Sequence, residues 1–226
     1  MSSPGRVLWG PDHVSVMALT VAAAALIAGR RRLRPELDRR GRLGVASLLL
    51  GNELVGWGWA AAHGSVRIPL QFCDLAMFLT VWALGSLRPR VCELAYFWGL
   101  AGSVQAILTP DLQRGFPDYW WVKFFLGHCG VVLSVTYLAL TNRIAATPQS
   151  VWRVFGLTNI YAVAAGIVNA CWHTNYGYLA HKPAQPSLLD YFGPWPYYIL
   201  AMEAAALASF FLYYAPLAMA RRRRSA

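Results

Sequence analysis

The sequence predicts an all-α, polytopic membrane protein of seven transmembrane helices, with its N-terminus outside and its C-terminus cytoplasmic. Three observations lead there. Apolar residues make up 57% of the 226 positions and charged residues only 13%, about half the charged share of an ordinary soluble domain, and the mean hydropathy is +0.40. The apolar residues fall in runs long enough to cross about 30 Å of hydrocarbon, which takes about 20 helical residues. Most of the cations stand at the ends of those runs.

The spans are expected near 11–29, 42–62, 69–87, 91–108, 119–141, 151–171 and 196–220. The first is the unbroken run VSVMALTVAAAALIAG behind Pro11. The second, LGVASLLLGNELVGWGWAAA, carries Asn52 and Glu53 at its middle. The third follows Pro69 as LQFCDLAMFLTVWALG. The fourth, VCELAYFWGLAGSVQAIL, follows the RPR of 88–90. The fifth, YWWVKFFLGHCGVVLSVTYLAL, holds Lys123, His128 and Cys129 where Leu or Ala would be ordinary. The sixth is VWRVFGLTNIYAVAAGIVNAC, and the seventh runs from Pro196 to the terminal RRRR. Pro11, Pro69 and Pro196 stand at expected helix starts, where a missing N–H is harmless. With no long Ser/Gly or Pro-rich linker, no internal repeat and no loop able to hold a soluble domain, residues 1–226 read as a single seven-helix transmembrane domain.

Orientation follows from the cations. The net charge is +10, but its placement beside apolar runs reads as anchoring against anionic lipid rather than nucleic-acid binding. With the N-terminus outside, the cytoplasmic side carries Arg30, Arg31, Arg32, Arg34, Arg39, Arg40, Arg42, Arg88, Arg90, Arg143, Arg153 and the four terminal arginines. The outer side keeps Arg6, Arg67, Arg114, Lys123 and Lys182. Fifteen against five is the positive-inside pattern. The aromatic clusters FPDYWW (116–121) and YFGPWPYY (191–198) then belong to an outer interfacial belt. The four cysteines, 73, 92, 129 and 171, show no CxxC spacing, which argues against a disulfide scaffold or zinc finger. No cleavable signal peptide precedes the first span, so Met1 is taken as retained.

In this topology polar groups from several spans fall at similar depth beneath the outer face. Cys73 is expected about 6 Å down at 1.5 Å per residue, and His128 about 9–13 Å down. Gln71, Asp74, Gln105, Asn169, His173 and Glu203 project from outer helix halves, with Asn52 and Glu53 deeper. A polar group near the bilayer centre costs a few kcal/mol unless it faces the bundle interior, pairs or meets water. One outward-opening polar cavity explains them together, with Asn52 and Glu53 as its floor and the loop 172–195 as its cover.

Each residue also has a plainer reading. A lone Gln or Asn in a span more often joins two helices. Glu93, beside Arg90, reads as a helix-start cap or surface ion pair, and Lys123 as a chain snorkelling to the interface. His63 and His181 read as solvated loop residues, Cys92 and Cys171 as small buried hydrophobes.

The segments IPLQFCDLAMF, YFWGLAGSVQAILTPDL, FFLGHCGVV, NACWHTNYGYLAHKP and SLLDYFGPWPYY, between about residues 69 and 198, resemble the YwaF-like integral membrane proteins of bacteria. These are distantly similar to a vertebrate transmembrane phospholipid acyltransferase. The resemblance implies transfer of fatty acyl chains between membrane phospholipids; the chain is expected to be an integral protein of a bacterial plasma membrane acting as a lipid acyltransferase or acyl hydrolase, with no cofactor or metal. It places the nucleophile at Cys73, in the PLQFCD motif, and the base at His128, in the GHCG motif. Cys129, directly after the His, departs from the family pattern and leaves two thiols as candidates.

The chemistry suits those residue types. A thiolate attacks an ester; a helix N-terminus or a protonated His lowers its pKa, and an imidazole takes and returns the proton. Gln71, Asp74, Gln105, Asn169 and Asn175 are supporting or oxyanion candidates. Asn52, Glu53, His173 and Glu203 are cavity groups. His13, His173 and loop tyrosines are candidate headgroup contacts. Besides a scaffold with no chemistry, two rivals remain at this stage. One is a transporter or channel for a small polar solute, which lacks an evident repeat. The other is a zinc-dependent lipid hydrolase built on His13, His128 and His173, which lacks any HxxH or HExxH spacing.

Overall fold

The computed structural model describes residues 9–29, 34–65, 68–184 and 186–225, the last three of these as backbone only. Within them the regular elements are helical. They are α1 (Pro11–Gly29), α2 (Pro35–Ala62), α3 (Phe72–Ser86), α4 (Pro89–Leu108), α5 (Tyr119–Leu140), α6 (Pro148–Trp172) and α7 (Tyr197–Ser225), with short 3-10 turns at Tyr176–Tyr178 and Leu188–Phe192. Arg6, Arg30, Arg31, Arg32 and Arg67 of the charge pattern lie outside the described residues.

Five helices, α1, α4, α5, α6 and most of α7, are long and apolar enough to cross a membrane. Five such helices in one chain support an integral membrane protein. Helix α3 is shorter than expected. Its 15 residues extend about 22 Å, because Pro69, Leu70 and Gln71 remain outside the helix. Helix α2 is longer, 28 residues, since a charged first turn begins at Pro35 rather than near 42. Proline stands at N1 of α2, α4 and α6 as well, where its fixed φ is already helical.

Packing divides the chain into two compact units, Met1–Pro69 with Cys73–Ile144, and Leu70–Phe72 with Ala145–Ala226. In the first unit α5 is the hub, packing against α1, α2 and α4. Glycines allow two of these contacts to close. A Cβ on Gly99 of α4 would stand 3.0 Å from Val131 Cγ1, and one on Gly130 of α5 would stand 2.7 Å from Leu49 Cδ2 of α2. Helix α1 is pegged by His13, 1% exposed. Its Nε2–H donates to Ile107 O at 2.7 Å, while Nδ1 accepts the Trp9 backbone N–H at 3.0 Å. At the far end of α5, Asp38 accepts hydrogen bonds from Tyr137, from Arg42 at 3.0 Å and from Arg143 at 3.0 Å. Arg42 also donates to the Leu84 carbonyl.

In the second unit α6 begins with a capping box, Thr147 and Ser150 each bonding the other's backbone N–H. Asn159 Nδ2 donates to Glu203 Oε2 at 3.0 Å, tying α6 to α7. Past the end of α6, Asn169 binds the returning chain. Its Oδ1 accepts Tyr176 N–H at 2.7 Å and the Thr174 hydroxyl at 2.9 Å, and its Nδ2 donates to Tyr176 O at 3.0 Å. The loop after α6 is therefore held by side-chain bonds rather than left open.

Candidate functional site

A cavity of about 190 Å³ lies within the first unit, and Cys73, Asp74, Ser103, Lys123, His128 and Glu53 are among its lining residues. Cys73 is the second residue of α3, so the thiol stands at a helix N-terminus as the sequence suggests. His128 lies ten residues into α5, whose start is capped by Asp118 accepting Trp120 N–H at 2.9 Å. Its imidazole is fixed from two sides. Phe124, one turn earlier, meets it at a ring-centroid distance of 4.3 Å. Nδ1 pairs with Ser103 Oγ of α4 at 3.3 Å. Ser103 is 1% exposed, so this hydroxyl has a buried and restricted position. The sequence reading missed it: in GLAGSVQ a serine looks like another small residue at a helix contact.

Lys123 behaves differently from its expected snorkelling. Nζ bonds Glu53 Oε1 at 2.7 Å, with the two side chains only 16% and 14% exposed. The aliphatic stem lies against Gly56 of α2, where a Cβ would stand 2.2 Å from Lys123 Cε. Asn52 Nδ2 donates to Lys123 O at 3.0 Å, joining α2 to α5 one turn above His128. The ion pair has left solvent because each charge has a partner, the condition under which a charge is tolerated inside.

The two candidate thiols separate. One residue turns a helix by about 100°, and Cys129 accordingly lies in a buried apolar cluster with Ile107, Trp121 and Phe125, outside the lining of the His128 cavity. Cys92 is buried, whereas Cys171 is exposed rather than buried. Glu93 is 6% exposed, so the surface reading of that residue is corrected. His63 is exposed and stacks on Trp59 at 3.9 Å.

The remaining candidates are placed elsewhere. Gln105 is exposed. Gln71, Asn169, His173, Asn175 and Glu203 belong to the second unit. There Gln71 Oε1 accepts Gly177 N–H at 3.0 Å, and Asn175 Nδ2 donates to His181 O at 2.8 Å. His173 is the left-handed residue that ends α6, at φ 51°. Asn169, Asn175 and Glu203 thus have structural partners inside their own unit. For a metal, His13 is a poor ligand because both ring nitrogens already bind backbone groups. Among the described residues no three His, Cys, Asp or Glu side chains converge.

The profile of the TMEM164 family matches residues 8–214. The chain belongs to the TMEM164 family. This TMEM164-family chain is also 30% identical over 128 residues to an uncharacterized protein of Treponema pallidum (strain Nichols), covering 54% of this chain and 53% of that relative. It thus spans about half the length of the curated relative it matches. No solved structure matches it.

Proposed function

We propose that this TMEM164-family membrane protein is a lipid acyltransferase or acyl hydrolase that uses Cys73 as nucleophile and His128 as base, the chemistry implied by the YwaF-like resemblance. The observation that carries the reading is the shared cavity: both side chains line it, and His128 is held there by Ser103. With Nδ1–H donating to Ser103 Oγ, Nε2 carries the lone pair that takes the thiol proton. Cys73 Sγ attacks the ester carbonyl carbon, the carbon–oxygen ester bond breaks, and the imidazolium returns the proton to the departing lysolipid oxygen. The resulting thioester passes its acyl group to a lysolipid hydroxyl or to water, with His128 again taking the proton. Lys123 Nζ lines the same wall within its ion pair to Glu53, and one of its remaining N–H groups serves as hydrogen-bond donor to the developing oxyanion, a role the sequence suggested for amides.

A cavity of about 190 Å³ is below the size that encloses a whole small ligand, which suits a site that receives only the ester and leaves the chains in the bilayer. In the same reading the chain spans a bacterial plasma membrane seven times with its N-terminus outside, so that Cys73 meets the outer leaflet just below the headgroups.

Incubation of purified protein with acyl-labelled phospholipid is expected to give a hydroxylamine-sensitive adduct that disappears in Cys73→Ser and persists in Cys129→Ser. Loss only in Cys129→Ser would transfer the role to the other thiol, and no adduct in any form would remove the covalent mechanism.

A further inference from the structure

A second cavity in the first unit is larger than the one that holds His128. A groove of about 800 Å³, open along one side, lies between α1 and α2 with α5 as its floor. Its walls are almost entirely aliphatic and aromatic, including Val16 and Leu26 of α1, Val45 and Leu48 of α2, and Leu126 and Leu133 of α5. From Trp121 to Tyr137 it follows about 24 Å of α5, more than the half of a ~30 Å hydrocarbon core that one leaflet's chain occupies. Its volume falls within the ordinary range for a ligand site.

One end of the groove is charged. Asp38, Arg42 and Tyr137 line it there, and Arg143 joins the same carboxylate. Two guanidinium groups meet the single carboxylate that lines the groove, and Arg143 Nη1 is buried without a hydrogen-bond partner. Arg39 and Arg40 are exposed on the same first turns of α2, together with Glu36. A second, independent feature is Gly41, which lines the groove in the interior of α2 although glycine there costs about 1 kcal/mol in helix propensity. A Cβ at Gly41 would meet nothing within 4 Å. No tight helix contact accounts for this glycine; it leaves the groove wide beside the charged end.

We propose that the groove binds a phospholipid with an anionic headgroup, one acyl chain lying along α5 and the phosphate facing the Asp38–Arg42–Arg143 end. An apolar trough ending where arginines outnumber the carboxylates Glu36 and Asp38 matches an anionic lipid better than a zwitterionic one, whose ammonium would face the same arginines. The site stands apart from the acyl-transfer reading: its wall carries Cys129, Leu126 and Leu133 of α5, whereas the Cys73 cavity is lined by Phe124, Gly127 and His128. The bound lipid is a resident of the fold and not the reacting ester.

Native mass spectrometry of the full chain in mild detergent tests this, with phosphatidylglycerol or phosphatidylcholine of identical chains added. The expected result is a one-to-one phosphatidylglycerol adduct that survives activation at which the phosphatidylcholine adduct is lost. Gly41→Trp, which fills the groove, is expected to reduce the phosphatidylglycerol adduct at least tenfold while melting no lower than the parent in lipid-free detergent. Gly41→Leu, a smaller filler, serves if the Trp variant fails to fold. Equal retention of the two lipids, or an undiminished adduct in the folded filled variant, overturns the proposal. Acyl labelling at Cys73, measured in the same samples, reports separately on the catalytic reading.

Discussion

At the scale of single residues, the Lys123–Glu53 pair departs furthest from what its sequence suggests. A lysine four residues from a helix start, beside tryptophans, has every reason to reach for the interface. It turns inward because Gly56 offers a bare strip of backbone on α2 and Glu53 an uncompensated charge one turn away. Neither cue is visible without the register between α2 and α5. Lys123→Met alone strands Glu53 and is expected to cost about 3 kcal/mol, whereas Lys123→Met with Glu53→Leu is expected to be near neutral; melting midpoints of the double-mutant cycle measure the coupling. Ser103 was illegible for a related reason, since a small residue in a glycine-rich helix reads as packing. If it sets the His128 tautomer, His128→Ala lowers labelling of Cys73 by about 10²–10⁴-fold. Ser103→Ala then gives a smaller loss that Ser103→Thr restores, together with a shifted pH profile; a purely structural serine would leave the profile in place.

At the scale of elements, helices were readable from apolar run length, while their ends and partners were not. Helix α2 starts seven residues ahead of its apolar stretch because Asp38 and Arg42 neutralise each other one turn apart and bind Tyr137 and Leu84, a tertiary effect that composition conceals. Helix α3 starts late because Leu70 and Gln71 bind outside the helix, to the Tyr161 hydroxyl and the Gly177 N–H. Asn169 shows how an amide suspected of catalysis serves as a clip: one side chain holds both polar backbone groups of Tyr176. Asn169→Leu leaves buried backbone groups unpaired at about 1–3 kcal/mol each. It is expected to lower the melting midpoint and open the chain after Trp172 to limited proteolysis, with Cys73 labelling of the folded fraction as the check on its structural role.

At the scale of the whole molecule, the membrane class was legible because hydrophobic length and charge placement are properties of the chain alone. The partition into two chambers was not, since it depends on which face of α5 each residue meets. The N-out reading makes a direct prediction. In right-side-out vesicles, a cysteine placed at Asp111 is expected to react with an impermeant maleimide and one placed at Arg88 is not; the reverse pattern would invert the topology. Cys92 and Cys129 are buried and give little background, while the exposed Cys171 and the partly exposed Cys73 must be replaced first. Helix α5 presents His128 to one chamber and Cys129 to the other, one peptide apart, as a partition wall shared by two rooms. A small roll of that wall about its axis must enlarge one room as it narrows the other. Genetic suppressors of a filled groove should therefore appear among residues facing His128, far from the original lesion in contact terms yet only a wall's thickness away.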